Sequence, residues 1–257
     1  MNYKPPIPAY WWIGNDLSKS WSNFGDELTP FLLNHFSGVG VGWADVSHAS
    51  VICTGSVLEH IPPFWSGHIL GAGKLYPDSR LHLYTNTAKI WALRGPYSAS
   101  GVPGDYAIGD PGLLADEIVA DEVPTRDFDL GVLPHWSDTE LVNNPTWFNE
   151  KWTTKVITPF DHPLDVVKDI ARCKRLVTSS LHGMIVADAC QIPRRLEYSK
   201  AMDNDGGLFK FRDYSASVHA PLETGKMIEV SRFHVEDRKH ELYDALGALG
   251  TALRQGN

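Results

Sequence analysis

Short apolar runs alternate along this chain with segments whose apolar residues recur every three or four positions. Tyr10-Trp11-Trp12-Ile13, Ser50-Val51-Ile52-Cys53, His68-Ile69-Leu70, Ile90-Trp91-Ala92-Leu93 and Tyr106-Ala107-Ile108 have the length and the branched or aromatic content of strands. Later runs of the same kind are Leu130-Gly131-Val132-Leu133, Val156-Ile157-Thr158, Arg175-Leu176-Val177 and Arg194-Arg195-Leu196-Glu197-Tyr198. Between them Leu28, Phe31, Leu32 and His35 keep helical spacing, as do Leu164, Val167, Ile170 and Ala171 after Pro163. A brief helix through Val57, Leu58 and Ile61 is stopped by Pro62-Pro63. Residues 184–190 read as a helix, and a long one over 235–253 carries Leu242, Leu246, Leu249 and Leu253. Strand and helix alternating in this way predict parallel sheets covered by helices, arranged as two Rossmann-like domains facing a cleft. The acidic, aperiodic segment 116–127, with Pro124, reads as a linker and sets the domains at 1–125 and 126–257. No tandem repeat or low-complexity tract interrupts the pattern.

Composition narrows the class. With 257 residues, 43% hydrophobic and 21% charged, the chain can bury a sizeable core and is not a disordered polymer. No apolar run approaches the roughly 20 residues that span a bilayer. The first residues, Met-Asn-Tyr-Lys-Pro-Pro, lack the apolar core of a secretory leader. A formal charge of −8 argues against nucleic acid or an anionic membrane as the main partner. The charge is uneven: residues 1–128 hold 7 Lys and Arg against 13 Asp and Glu, and residues 129–257 hold 16 against 18. Cys53, Cys173 and Cys190 are scattered and have no metal-ligand spacing, which suits reduced thiols and a cytoplasmic location.

Candidate chemistry gathers at strand-to-helix turns. Thr178-Ser179-Ser180-Leu181-His182-Gly183 follows one strand and opens a helix. Such a turn presents backbone N–H groups and the positive end of a helix dipole to an anion. His182 can there bind a phosphate or pass a proton, or be a histidine packed in the core beside a helix cap. Asn23-Phe24-Gly25-Asp26 precedes another helix, where Asp26 is either a plain N-cap or a carboxylate at the cleft mouth, and Gly25 allows close approach to the backbone. Arg94, at a strand end with Ser98 nearby, can grip a carboxylate or phosphate, or pair with an aspartate. Asp110, in Gly109-Asp110-Pro111-Gly112, stabilises its turn or pairs with a neighbouring cation. His135 ends a strand in the second half. Asp203-Asn204-Asp205-Gly206-Gly207 is a loop. Lys210-Phe211-Arg212-Asp213-Tyr214 after it reads as an amphipathic helix or a binding loop.

These motifs, in this order and over nearly the whole chain, resemble the polysaccharide pyruvyl transferases, most of all short bacterial members that place pyruvate ketals on exopolysaccharides such as xanthan. The resemblance implies a fold like the two-domain B-type glycosyltransferases, with phosphoenolpyruvate as donor and a sugar of a lipid-linked oligosaccharide as acceptor. It makes Arg94 and His182 the donor-binding arginine and histidine. Many relatives carry arginine two residues before this histidine; here that position is Ser180, so Arg194, Arg195 or Lys210 must supply the missing cation.

The donor sets three needs: an acid for its methylene carbon, a base for the sugar hydroxyl, and fixed cations for phosphate and carboxylate. Asp26 is the candidate base, with His135 the weaker one, and His182 is phosphate ligand or proton donor. The donor site is expected to use Arg94, Ser98, Ser179, Ser180, Leu181, His182, Gly183 and Lys210. Asn23, Gly25 and Asp110 stand on the acceptor side or hold the structure. No metal and no cofactor beyond phosphoenolpyruvate is required. Replacing Arg94 by alanine is expected to abolish donor binding and spare the fold. A lipid-linked acceptor would bring the protein to the cytoplasmic face of the inner membrane. The rival readings are a nucleotide-sugar glycosyltransferase of the same architecture and a non-catalytic member of a polysaccharide assembly complex.

Overall fold

A computed structural model describes residues 5–14, 21–81, 87–122, 125–138, 140–148 and 150–256. Pro124, which the linker reading used, lies outside them. The first sheet contains β1 (Ile7–Tyr10), β2 (Val41–Trp43), β3 (Val51–Ile52), β4 (His68–Leu70), β5 (Lys89–Leu93) and β6 (Ala107–Ile108), in the order β2-β1-β3-β4-β5-β6. Every neighbouring pair in it is parallel. The second sheet contains β7 (Leu130–Leu133), β8 (Thr154–Val156), β9 (Leu176–Thr178), β10 (Arg194–Leu196) and β11 (Met227–Ile228), in the order β11-β10-β9-β7-β8. It is parallel except for the β10–β11 pair. The expected α/β class with two parallel-dominated sheets is therefore present.

Burial explains why the inner strands were legible. All residues of β3, β4, β7 and β9 are buried, as in strands covered on both faces, whereas the edge strands β2 and β8 are partly exposed. The short edges β2 and β11 had no apolar run to announce them. β1 lies earlier than the Tyr10 to Ile13 run suggested: its pairing ends at Tyr10, and Trp11-Trp12 continue unpaired beyond the sheet. β8 likewise ends at Val156 rather than beginning there.

The helices are α1 (Thr29–Leu32), α2 (Pro96–Ala99), α3 (Ala115–Ile118), α4 (Pro163–Ala171), α5 (Leu181–Ala189), α6 (Phe209–Ser217) and α7 (Arg232–Gln255). All nine residues of α5 are buried, so it is a core helix with no solvent face. The expected linker is in part structured. It begins as α3, and Val119 is buried. Asp116 and Glu117 pair with Lys239 of α7.

α7 follows every strand of the second sheet yet packs against β4, β5 and β6 of the first. Leu242 meets Gly109 there, and Arg254 donates to the Ser37 carbonyl. Gly250 lies so close to Ser37 that a Cβ would sit 2.5 Å from that same carbonyl oxygen.

Candidate functional site

In each sheet one strand has its successor on one side and a later strand on the other. This reversal falls between β1 and β3 in the first sheet and between β7 and β9 in the second. Connections leaving such a pair diverge, and the crevice at the strands' carboxyl ends is where α/β sheets hold ligands. One cavity of about 140 Å³ is lined from both crevices. Trp12, Asp26 and Ser56 come from the turns after β1 and β3, and His135, Trp136, Ser180 and His182 from those after β7 and β9. Asn23, Asp205 and Lys210 add polar groups to this lining, and Leu181 an apolar one. A water needs roughly 10–15 Å³ of such space, so the cavity has room for a small organic anion.

His182 is at the second residue of α5, whose N-cap Ser180 accepts from the Gly183 N–H. Its ring rests against Gly25: a Cβ at Gly25 would lie 2.0 Å from His182 Nδ1. What approaches this glycine closely is thus a side chain of the protein itself. His182 Nδ1 is 3.6 Å from Asp26 Oδ1, and Nε2 is 3.8 Å from Asp110 Oδ2. Both His182 Nε2 and Asp110 Oδ2 are buried without a hydrogen-bond partner among the described residues. The imidazole therefore stands between two carboxyl groups.

Burial decides the charges of this trio. It holds Asp26 well above the usual carboxylate range, with Lys210 opposing and Asp205, Asp110 and Glu27 adding to the rise. It raises Asp110 to about 6 against the hydrogen bond from the Gly112 N–H. It pushes His182 down to about 3, helped by the positive charges of Arg94 and Lys210. Burial thus favours the protonated form of Asp26 and keeps His182 a neutral imidazole near neutral pH. The Asp26 side chain makes no capping bond; Glu27 holds that turn, accepting from the Ser22 and Asn23 N–H groups. Asp110 does stabilise its own turn, with its other oxygen turned to His182.

A second group lies on the opposite wall. Asp205 Oδ2 accepts from His135 Nε2 at 2.9 Å and pairs with Lys210 Nζ. Burial lowers Lys210 against the pull of Asp205, and it lowers His135 despite the hydrogen bond to Asp205. Burial alone would raise Asp205, but its bond with His135 and the Lys210 charge outweigh it and hold the carboxylate ionised.

Other expected donor residues are committed elsewhere. Arg94 is fully buried; its Nε donates to Asp213 at 3.0 Å, Nη1 to Ser56 Oγ and Nη2 to the Lys74 carbonyl. Gly73 makes room for the guanidinium, since a Cβ there would be 2.2 Å from Arg94 Cζ. Asp213 also accepts from the Ser98 hydroxyl and from the Tyr97 and Ser98 N–H groups. Ser179 donates to Asp138 and accepts from the His135 N–H. Arg94, Ser98 and Ser179 thus support the wall, with Ser56 between Arg94 and the cavity. Removing Arg94 would strand Asp213 in the interior, contrary to the expectation that the fold is spared. Of the three cations offered in place of the absent arginine, Lys210 alone lines the cavity; Arg194 is buried on Asp188, and Arg195 pairs with Glu197. The sequence reading passed over Asp205, Ser56, Trp12 and Trp136. No group of three His, Cys, Asp or Glu among the described residues is arranged to hold a metal ion.

Residues 77–195 match the model of the polysaccharide pyruvyl transferase family, a span that includes Arg94, Asp110, His135 and His182. The chain is similar to that family over somewhat less than half of its length. It is 26% identical over 225 residues to the succinoglycan biosynthesis protein ExoV of Rhizobium meliloti, covering 82% of this chain and 64% of that protein. It is 31% identical over 159 residues to the uncharacterized protein L143 of Acanthamoeba polyphaga mimivirus, covering 57% of this chain and 53% of that one. The chain thus spans between half and two thirds of the length of these relatives. No solved structure matches.

Proposed function

We propose that this protein transfers pyruvate from phosphoenolpyruvate to a sugar of a polysaccharide repeat unit, closing a ketal and releasing phosphate. The observation that carries the reading is the buried Asp26–His182–Asp110 contact beside Lys210, in a small cavity lined from both sheets, in a chain similar to this family. A protonated Asp26 is suited to give its proton to the donor's methylene carbon, which leaves the neighbouring carbon open to a sugar hydroxyl. Neutral His182 is suited to take that hydroxyl's proton. This reverses the sequence-based roles, in which Asp26 was the base. Cleavage of the carbon–oxygen bond then frees phosphate, and a second hydroxyl closes the ring on the same carbon. That hydroxyl's proton leaves with the phosphate, so one proton is consumed at the methylene and two are released.

Lys210 supplies the cation in the cavity and Arg94 a positive field from behind Ser56. No other cofactor enters. Trp12 and Trp136 meet with ring centroids 5.0 Å apart and give the acceptor sugar an aromatic platform. The two sheets would be disposed as in B-type glycosyltransferases, and a lipid-linked acceptor would be met at the cytoplasmic face of the inner membrane. No helix among the described residues is long and apolar enough to cross a membrane.

Incubation with phosphoenolpyruvate and lipid-linked oligosaccharides tests this reading by mass spectrometry and phosphate release. A product heavier by one pyruvate ketal is expected. A product heavier by a sugar, formed from a nucleotide sugar supplied in parallel, would replace the reading with glycosyl transfer.

A further inference from the structure

The 203–207 loop carries a carboxylate into the cavity, on a turn whose own backbone bonds run to the Lys200 and Met202 carbonyls. Asp205 is partly exposed, whereas the Lys210 and His135 side chains it pairs with are buried. The loop rests on the first sheet's side of the cleft, where Tyr76 donates to the Asn204 carbonyl at 2.9 Å. Tyr198 donates to Asp203 from the other side. Gly206 has φ +76 and lies so near Leu75 that a Cβ would be 2.3 Å from its carbonyl oxygen; Gly207 follows at φ +51. Two successive left-handed glycines give this segment a backbone path that other residues rarely follow.

Both bonds converge on one oxygen, Asp205 Oδ2. His135 Nδ1 accepts from the Ser137 N–H, so the neutral ring carries its proton on Nε2, and that one proton is given to Asp205. A ligand oxygen cannot use it while Asp205 does. Lys210, the cation lining the cavity, is at the same time neutralised by Asp205. A multiply charged anion entering beside Asp205 would meet a like charge within a few ångströms in a poorly solvated site.

We propose that Asp205 occupies the seat of a ligand's anionic oxygen, and that the donor's phosphate or carboxylate displaces it, turning the 203–207 loop outward. The identity of that donor rests on the pyruvyl-transfer reading; the seat itself does not.

Calorimetric titration of the whole chain with inorganic phosphate, malonate and phosphoenolpyruvate tests the proposal in the wild type and Asp205→Ala. The variant is expected to bind phosphate or malonate on the order of tenfold more tightly or better, from the removed repulsion and the released donors. Phosphate or malonate, whichever gains, identifies the group that sits there. Adding Lys210→Met to Asp205→Ala should erase the gain. Gly206→Ala, which keeps the carboxylate but undocks the loop, should reproduce part of it. Unchanged or weaker anion binding in Asp205→Ala would overturn the proposal and leave Asp205 as a residue that only orients His135 and Lys210. A gain for simple anions without ketal formation from phosphoenolpyruvate keeps the seat and refutes pyruvyl transfer. Ketal formation without any gain does the reverse.

Discussion

Helix α6 makes two ion pairs of opposite character within one turn. Asp213 receives Arg94 in a fully buried contact: each guanidinium nitrogen has an acceptor, and the carboxylate also takes the Ser98 hydroxyl and two backbone N–H groups. Lys210, three residues earlier, meets a carboxylate on a glycine-flanked, partly exposed loop. The first pair ties the first sheet to α6 and is fully buried behind Ser56, away from the cavity lining. The second can exchange its partner for a ligand. An arginine at a strand end is thus no stronger a sign of a binding residue than a lysine on the next helix; what separates them is whether the charge is already spent.

Arg94→Met should break the first pair most severely. It takes the cation from a buried carboxylate that keeps its Ser98 and backbone partners, a loss of up to about 3–5 kcal/mol, and thermal or denaturant unfolding should show it with or without donor. Asp26→Asn should lower turnover on the order of 10²–10⁴-fold while phosphoenolpyruvate binding by calorimetry stays within a few-fold; unchanged turnover would make Asp26 a structural residue. Lys210→Met should weaken donor binding by on the order of tenfold to a hundredfold, the equivalent of one or two charge-assisted bonds, with unfolding nearly unchanged because Asp205 can turn to solvent. A collapse of stability there would erase the contrast between the two pairs. Gly25→Ala forces His182 aside and should cost about 1–3 kcal/mol, read by unfolding and by a fall in turnover.

The smallest effect concerns pH. Asp110, raised to about 6, stabilises the fold fully below about pH 4, and that contribution is lost as pH rises through about 6. Asn at 110 keeps the Gly112 contact and removes the titration. The melting temperature of Asp110→Asn relative to wild type should therefore rise between pH 4 and 7.

Much of this was written in the order of residues. The inner strands and α4, α5 and α7 followed from continuous apolar runs and helical spacing, because burial on one or both faces imposes those patterns. Asp26, His135 and His182 were legible as polar residues in turns after strands, and Lys210 as part of a charged, aromatic segment read as an amphipathic helix or a binding loop. Their partners were not. Asp205 sits among turn-forming residues, and Asp-Asn-Asp-Gly-Gly describes a loop without saying where its carboxylate points. The fates of Arg94, Ser98 and Ser179 depended on Asp213 and Asp138, which are 119, 115 and 41 positions away. Such distances leave no periodic trace. The 116–118 helix was hidden by its acidity, which Lys239 of α7 balances from across the chain.

That same return of α7 sets an order of events on the ribosome. The first sheet is translated early, but β4, β5 and β6 wait for a cover that emerges only after the second sheet has been made. Until then its apolar flank stays open, a stretch of synthesis in which chaperone capture or aggregation competes with folding. The cleft between the sheets would therefore be completed as a late step of biogenesis, and neither half would be expected to reach its final form when expressed by itself.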